Sequence, residues 1–297
     1  VSTIGQLLAE ARPLLAATPF GASTREARLL LGHVLGLSEG RILAREEIAV
    51  APEDERRFRD LLARRLTGEP VSYLTGEREF WGRPFQVDSR VLIPRPETEH
   101  IVEVALGLPL PAAPWILDVG TGSGVLAVTL ALEIPGSRVV ATDLSPGALA
   151  VAARNARRLG AADRVSFLGA DLTAGLDLSR FDLAVSNPPY VDRSEIPEIS
   201  PEVLDFEPHL ALFPPGAGDA ALARLFAQCT GLVPGIPLAV EIGRGQLDAV
   251  RRHAGASGLE IAEVRNDYAG IPRTVLLRRR PDLSTDSEGE TWTSSTS

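Results

Sequence analysis

The most specific chemistry in the chain lies at Ser186-Asn187-Pro188-Pro189-Tyr190, directly after the apolar run Phe181–Val185. Two consecutive prolines fix φ and remove two backbone donors, so the turn is rigid and its carbonyls are free to accept hydrogen bonds. Asn187 adds a side-chain carbonyl, and Tyr190 adds a flat face. A planar NH2 group needs this combination: acceptors for its two hydrogens and a surface for its plane. The plainer alternative, a rigid loop with no ligand, is the weaker one given the segments that precede it.

The first of those segments is the strand-like Ile116-Leu117-Asp118-Val119 running into Gly120-Thr121-Gly122-Ser123-Gly124. Glycines let the backbone bend sharply and let a ligand approach it closely. Val125 stands where a dinucleotide fingerprint would carry a further glycine. No Lys-Ser/Thr follows, so the turn is not a phosphate-binding loop. A glycine turn with an acid before it and no anion clamp suits a ligand made of an amino acid and a nucleoside. A bare strand–helix turn is the alternative. Asp143 ends the next strand, Val139–Thr142, where a carboxylate can accept from both ribose hydroxyls. Taken alone it would read as a helix cap before Ser145 and Pro146. Asp171-Leu172, after Val165–Leu168, offers an acceptor for an adenine amine and an apolar ring contact, and reads equally well as a loop acid.

Joined in one cavity, these segments describe methyl transfer from S-adenosylmethionine to a planar amide-type or exocyclic nitrogen. The cofactor carries an already activated methyl. An amide nitrogen is a poor nucleophile, because its lone pair is delocalised into the carbonyl. Acceptors at Asn187 and the Pro188 carbonyl would stabilise positive charge building on that nitrogen. They would also aim it, and orientation is worth up to about 7–11 kcal/mol in ideal cases.

The elements that must position these residues follow from periodicity. Residues 1–75 read as a small helical bundle. Ile4, Leu7, Leu8, Ala11, Leu14 and Leu15 recur at helical spacing. Ser23 with Glu26 suggests a capping box before Ala27, Leu30, Leu31, Val34 and Leu35. Gly36 stops that helix, and Pro52 opens another, with Phe58, Leu61, Leu62 and Leu66 on one face and Gly68 after it. Arg56, Arg57, Arg59, Arg64 and Arg65 are expected on its solvated face, a docking surface being the sharper alternative. Residues 76–96 read as a β-hairpin linker built from Phe80-Trp81, Phe85-Gln86-Val87 and Val91-Leu92-Ile93, closed by Pro94 and Pro96.

From residue 97 to 280 helices and strands alternate, which predicts an α/β, mainly parallel sheet covered on both faces. Strands are expected at Trp115–Val119, Arg138–Thr142, Val165–Leu168, Phe181–Ser186 and Pro237–Ile242, with a terminal pair at Leu259–Val264 and Thr274–Arg278. Helices are expected from His100 to Leu106 and over 124–133, 145–159 and 219–231. Residues 281–297, rich in Ser, Thr, Asp and Glu, predict a disordered acidic tail.

Composition narrows the function classes. The 297 residues carry a formal net charge of -9, which disfavours stable binding along a nucleic-acid backbone and suits a basic protein or peptide partner better. A single cysteine, Cys229, excludes an internal disulfide and a cysteine metal cluster and fits a reducing cytoplasm. His33, His100, His209 and His253 show no metal-ligand spacing. No apolar run reaches membrane-spanning length, and no secretory signal is read at the start. The chain has no methionine and no lysine and begins with Val1, which reads as a GC-rich gene with a non-AUG start codon.

Tyr73-Leu74-Thr75-Gly76-Glu77-Arg78-Glu79-Phe80-Trp81 and Ile93-Pro94-Arg95-Pro96-Glu97-Thr98-Glu99, with the glycine turn and Asn187 to Tyr190, resemble the release factor glutamine methyltransferases, the PrmC or HemK family. Asp205-Phe206-Glu207-Pro208, Ala211-Leu212, Glu241-Ile242-Gly243 and Gly245-Gln246 match as well. The resemblance implies a class I, Rossmann-like methyltransferase fold with a seven-stranded sheet. It implies N5-methylation of the glutamine in the Gly-Gly-Gln motif of class I peptide-chain release factors, during translation termination. It implies that Asp118, Gly120, Thr121, Gly122, Ser123, Gly124, Asp143, Asp171, Leu172 and Asn187 hold S-adenosyl-L-methionine. Asn187, Pro188, Pro189 and Tyr190 would grip the glutamine, with Asn187, Pro188 and Tyr190 acting in catalysis, and the helical N-terminus would dock the release factor. Leu172 departs from the aromatic that some relatives carry there. A monomer without membrane partners is expected. The nearest rival is a DNA or RNA adenine or cytosine N-methyltransferase, which would share the 187–190 turn but need a basic surface and an exposed base. A non-catalytic nucleoside binder and a nicotinamide dehydrogenase are the remaining alternatives.

Overall fold

The structure, a computed structural model, describes residues 1–280; the tail expected at 281–297 lies outside the described residues. The N-terminal helices follow their apolar periodicity. On α1 (Ile4–Ala16), Ile4, Leu7, Leu8, Ala11 and Leu15 are all buried. α2 (Thr24–Leu35) ends at Gly36 with φ 65°, a left-handed stop that glycine adopts without a Cβ clash. A short α3 (Glu39–Leu43), not anticipated from the sequence, precedes α4 (Pro52–Leu66), which begins with its proline where no backbone donor is missed. α5 (Val71–Thr75) closes the bundle. Leu7, Leu30 and Phe58 share one core cluster.

Two expectations fail here. Ser23 makes no side-chain cap bond: the Glu26 amide donates to the Ser23 carbonyl at 2.9 Å instead, and the Glu26 carboxylate is taken by Arg65, whose Nε donates to Glu26 Oε2 at 2.6 Å. Arg65 is not on a solvated face: it is 2% exposed, while Arg56, Arg57, Arg59 and Arg64 are exposed as expected. A buried guanidinium left unpaired would cost several kcal/mol, about 3–5 where one partner of a buried pair is removed. Arg65 meets that demand with two carboxylates, Glu26 and Glu202, and with the face of Phe20, 4.5 Å from its ring centre.

β1 (Glu77–Phe80) and β2 (Arg83–Gln86) pair antiparallel, with Phe80 opposite Arg83. The two turn residues, Trp81 at φ 52° and Gly82 at φ 66°, give the two-residue hairpin turn whose twist matches its strands. Phe80 and Phe85 are buried and meet edge to face at 6.0 Å. The third β-like run, Val91–Ile93, forms no strand. Its Ile93 amide donates to the Glu207 side chain at 3.0 Å rather than to a ladder, and Pro94 and Pro96 supply no donors that could extend one.

The larger region begins with α6 (Glu99–Leu106). It continues through β3 (Trp115–Val119), α7 (Val125–Glu133), β4 (Arg138–Asp143), α8 (Pro146–Leu159), β5 (Val165–Gly169) and β6 (Leu183–Ser186). Two short helices, α9 (Pro201–Phe206) and α10 (His209–Leu212), lead to α11 (Ala220–Gln228), β7 (Pro237–Glu241), α12 (Leu247–Ala256), β8 (Leu259–Asn266) and β9 (Pro272–Arg279). Helix α12 had not been singled out from the sequence. The seven-stranded sheet runs β5-β4-β3-β6-β7-β9-β8, parallel except that β9 is antiparallel to both β7 and β8.

Period-2 alternation divides the sheet between two cores, as burial on both faces requires. Ile116, Val185 and Ala239 pack with α6 and α7 residues on one face. Leu117, Val119, Ala184 and Val240 pack with α11 and α12 residues on the other. Chain order reverses between β3 and β6, which are neighbours in register from Ile116–Leu183 to Val119–Ser186. Open α/β sheets leave a crevice at the carboxyl ends of the strands at such a switch point. The glycine turn and the Asn187 turn leave those two strand ends.

Candidate active site

A cavity of about 200 Å³ occupies this crevice, many times the ~10–15 Å³ that one water requires. Gly120, Thr121, Gly122, Ser123, Asp143, Asp171, Leu172, Asn187 and Pro189 line it. Of the other predicted site residues, Asp118, Gly124, Pro188 and Tyr190 are not part of its wall. The geometry therefore brings the glycine turn, the second-strand acid, the third-strand loop and the asparagine to one space.

The turn is held from below. The amides of Gly120 and Thr121 both donate to the Thr142 carbonyl, at 2.9 and 2.8 Å, tying the turn to β4. Gly122, at φ 56°, has nothing within 4 Å of where a Cβ would stand, so its backbone faces open space. Gly124, at φ 84°, serves packing instead: a Cβ there would meet Ala152 Cβ at 3.0 Å. Asn155 is a buried organiser that sequence reasoning missed. Its side chain donates to Ser123 O at 2.8 Å and to Gln86 O at 2.9 Å, and accepts from Gln86 N at 2.7 Å, joining the hairpin to the turn. A lone asparagine in an amphipathic helix carries no sequence signal for such a role.

Asp143 stands at the tip of β4. Its Oδ2 accepts from Gly122 N at 2.9 Å and its Oδ1 from Ser145 N at 2.8 Å, while Ser145 itself caps α8. Burial pushes the Asp143 carboxyl above its ordinary range, and these amide bonds pull it back. Each oxygen keeps acceptor capacity toward the cavity. Leu172 sits at φ 57°, an uncommon conformation for a residue with a Cβ, with its carbonyl accepting from Thr142 Oγ1 at 2.9 Å. Asp171 is engaged by Arg224 at 2.5 Å.

Charge in the wall argues about the ligand. The three arginines lining the cavity are all paired: Arg90 with Asp88, Arg95 with Glu207, and Arg224 with Asp171. Among the described residues that line the space, none of these arginines is left as a free clamp for a phosphate. The donor set is one that could hold S-adenosylmethionine: the open glycine backbone could take the amino-acid end, Asp143 could accept from ribose hydroxyls, and Leu172 with Leu144 offers an apolar surface for a ring. Glu207, 4% exposed, fastens one side of the cavity by taking Ile93 N on Oε2 at 3.0 Å and Arg95 on Oε1 at 2.6 Å.

Asp118 lies beneath the turn, fully buried. Its Oδ2 accepts from Thr121 Oγ1 at 2.6 Å and from Ala127 N at 3.1 Å, while its Oδ1 has no hydrogen-bond partner. Burial pushes this carboxyl up to about 7 despite those two bonds, and the nearby Asp143 charge adds to the rise. A folded-state pKa raised above the unfolded one means that the protonated acid favours the fold. Its stability contribution is complete below the unfolded value, about 4, and is lost as pH rises through about 7. Asp118→Asn does not titrate. Urea unfolding of the two proteins at pH 5 and pH 8 should show the native protein losing ground to the variant at the higher pH. An unchanged difference would place the Asp118 pKa in the ordinary range.

At the neighbouring strand end, Ser186 Oγ donates to Val119 O at 2.8 Å, holding β6 against β3 where both turns begin. Asn187 Nδ2 donates to Thr98 Oγ1 at 3.0 Å, and Tyr190 OH donates to Glu241 Oε1 at 3.3 Å. Gln246 fixes the loop's far end, donating to Tyr190 O at 2.8 Å. Thr98 and Glu241 belong to segments quoted above as matching a family, but the sequence alone gave neither a role.

Two family models match parts of the chain: the PrmC N-terminal domain over residues 6–76 and the methyltransferase small domain over residues 105–204. A release factor glutamine methyltransferase of Bordetella pertussis is 47% identical over 256 residues, covering 85% of this chain and 94% of its own. One from Moorella thermoacetica is 43% identical over 283 residues, covering 94% of this chain and 100% of its own. Among solved structures, a methyltransferase from Pyrococcus furiosus matches with a TM-score of 0.51 at 15% identity, over 75% of this chain and 99% of that one, a likeness of fold. With the curated relatives matching over most of their own length and most of this chain's, the chain belongs to the release factor glutamine methyltransferase family.

Proposed function

We propose that this chain transfers the methyl group of S-adenosyl-L-methionine to the N5 amide nitrogen of the glutamine in the Gly-Gly-Gln motif of class I peptide-chain release factors. The observation that carries the reading is the single cavity lined by the glycine turn, Asp143 and Asn187. It sits in a chain whose curated relatives carry the release factor glutamine methyltransferase name. Bound there, S-adenosylmethionine supplies an activated methyl on a sulfonium.

The protein's own residues supply everything else. Gly120 to Ser123 and Asp143 hold the cofactor, with Leu172 against its adenine and Asp171 near the adenine amine. Asn187 Oδ1 and the Pro188 carbonyl accept from the glutamine NH2, Pro189 keeps the turn rigid, and Tyr190 flanks the amide plane. Those acceptors turn the nitrogen toward the methyl and stabilise the positive charge that grows on it. No strong base is required first, because the proton leaves the amide nitrogen after the new bond forms. Residues 1–75 dock the release factor, 76–96 link, and 97–280 catalyse, in a monomer working in the cytoplasm. In support of a setting away from membranes, no helix among the described residues is long and apolar enough to cross one.

An exocyclic base amine poses the same geometric problem as a glutamine amide, so the experiment offers both substrates. With methyl-labelled cofactor, a purified class I release factor and duplex DNA or structured RNA in one reaction, label is expected on the release factor. Label on the nucleic acid instead would overturn the reading.

A further inference from the structure

Thr98 and Glu241 are polar side chains only 3% and 1% exposed, and none of the roles above uses them. They come from opposite ends of the larger region, Thr98 from the 3-10 turn Pro96–Thr98 and Glu241 from the end of β7. They meet directly: Thr98 Oγ1 donates to Glu241 Oε2 at 2.6 Å. Thr98 also lines the cavity beside Asn187. We propose that Thr98 and Glu241 are positioning residues that decide which end of the Asn187 amide faces the substrate. The proposal rests on the reading of Asn187 as the acceptor for the glutamine NH2.

The two ends of an asparagine amide are nearly the same size, so packing hardly distinguishes them; hydrogen bonding must. A threonine hydroxyl has one hydrogen. In Thr98 that hydrogen is spent on Glu241, so toward Asn187 the oxygen offers only lone pairs. Asn187 must answer with its NH2, at 3.0 Å, which leaves Oδ1 as the acceptor end for the cavity. A flipped amide would set Oδ1 against the Thr98 lone pairs and lose the bond. It would also present donors to a substrate NH2 that needs acceptors.

Glu241 can hold this polarity because both its oxygens already accept from hydroxyls: Thr98 on Oε2, and Tyr190 on Oε1 at 3.3 Å. One carboxylate therefore orients both side chains of the Asn-Pro-Pro-Tyr turn that the mechanism needs. Burial pushes Glu241 up to about 7, so rates are compared at pH 8, on the ionised side of that value. Upstream, the Arg95–Glu207 pair and the prolines at 94 and 96 fix the backbone that carries Thr98. This gives a physical purpose to the Arg-Pro-Glu-Thr-Glu and Glu-Ile-Gly segments, which lie far apart in the chain.

Thr98→Val removes the hydroxyl at nearly constant volume. At pH 8 its single-turnover rate on a release factor is expected to fall about 10- to 100-fold. The KM for the release factor and the cofactor Kd by calorimetry should change by less than about threefold, since neither depends on the flip alone. Thr98→Ser, which keeps the hydroxyl, should recover most of the lost rate. Glu241→Gln, which keeps an acceptor oxygen for Thr98, should stay closer to native than Thr98→Val. Three results would overturn the proposal: Thr98→Val at a near-native rate, Thr98→Ser as impaired as Thr98→Val, or a loss confined to KM or cofactor affinity. Failure of the functional reading is distinguishable, because native protein itself would then move no methyl onto the release factor.

Discussion

Replacing Asn187 with alanine should lower the single-turnover rate of methyl transfer on the order of 100- to 1,000-fold, the loss that follows removal of one preorganised group stabilising developing charge. Asn187 lines the cavity at the end of β6 with its NH2 held by Thr98 at 3.0 Å, so alanine deletes the acceptor without disturbing the two prolines beside it. The glycine turn and Asp143, the proposed cofactor contacts in the cavity wall, remain. Calorimetric affinity for S-adenosylmethionine should therefore fall much less than the rate. A near-native rate in Asn187→Ala would remove the asparagine from the mechanism.

Asp143→Ala should give the opposite pattern. Its carboxylate is the charged acceptor at the tip of β4, and it also takes the Gly122 and Ser145 amides at 2.9 and 2.8 Å. Hydrogen bonds to charged groups are worth about 1.5–3 kcal/mol each, so losing the ribose contact should weaken cofactor binding roughly 10- to 100-fold. At saturating cofactor, transfer should be slowed far less, because the turn proposed to bind the amide stands on another strand, after β6. Calorimetry and saturation kinetics on the one variant separate the two effects. Unchanged affinity would show that Asp143 only braces the turn.

Much of this was legible in the sequence because the decisive signals are local. Ile116–Gly124 reads as strand, turn and helix from apolar run, glycines and apolar run, and β3 occupies residues 115–119 as expected. The prolines after Asn187 announce a rigid turn wherever they stand. What escaped reading depends on partners distant in the chain. Arg65 belongs to a row of arginines whose other members are exposed; its burial depends on Glu26 of α2 and Glu202 of α9, both far from it in the chain. The Glu26 half of the Ser23–Glu26 capping box is lost to the same arginine, which holds the Glu26 carboxylate. Val91–Ile93 has the composition of a strand, but its amide at 93 goes to Glu207. The Thr98–Glu241 bond joins residues 143 apart, a distance over which no periodicity speaks.

The central claim is that the cavity between the two turns methylates a flat side-chain amide on a protein. Its most direct test is fragmentation mass spectrometry of a class I release factor after incubation with this enzyme and S-adenosylmethionine. The account predicts one added methyl, located on the side-chain nitrogen of the glutamine in the Gly-Gly-Gln motif, and none when Asn187→Ala replaces the native enzyme for the same brief time. A methyl on another residue, or an unmodified release factor beside a methylated nucleic acid, would contradict it.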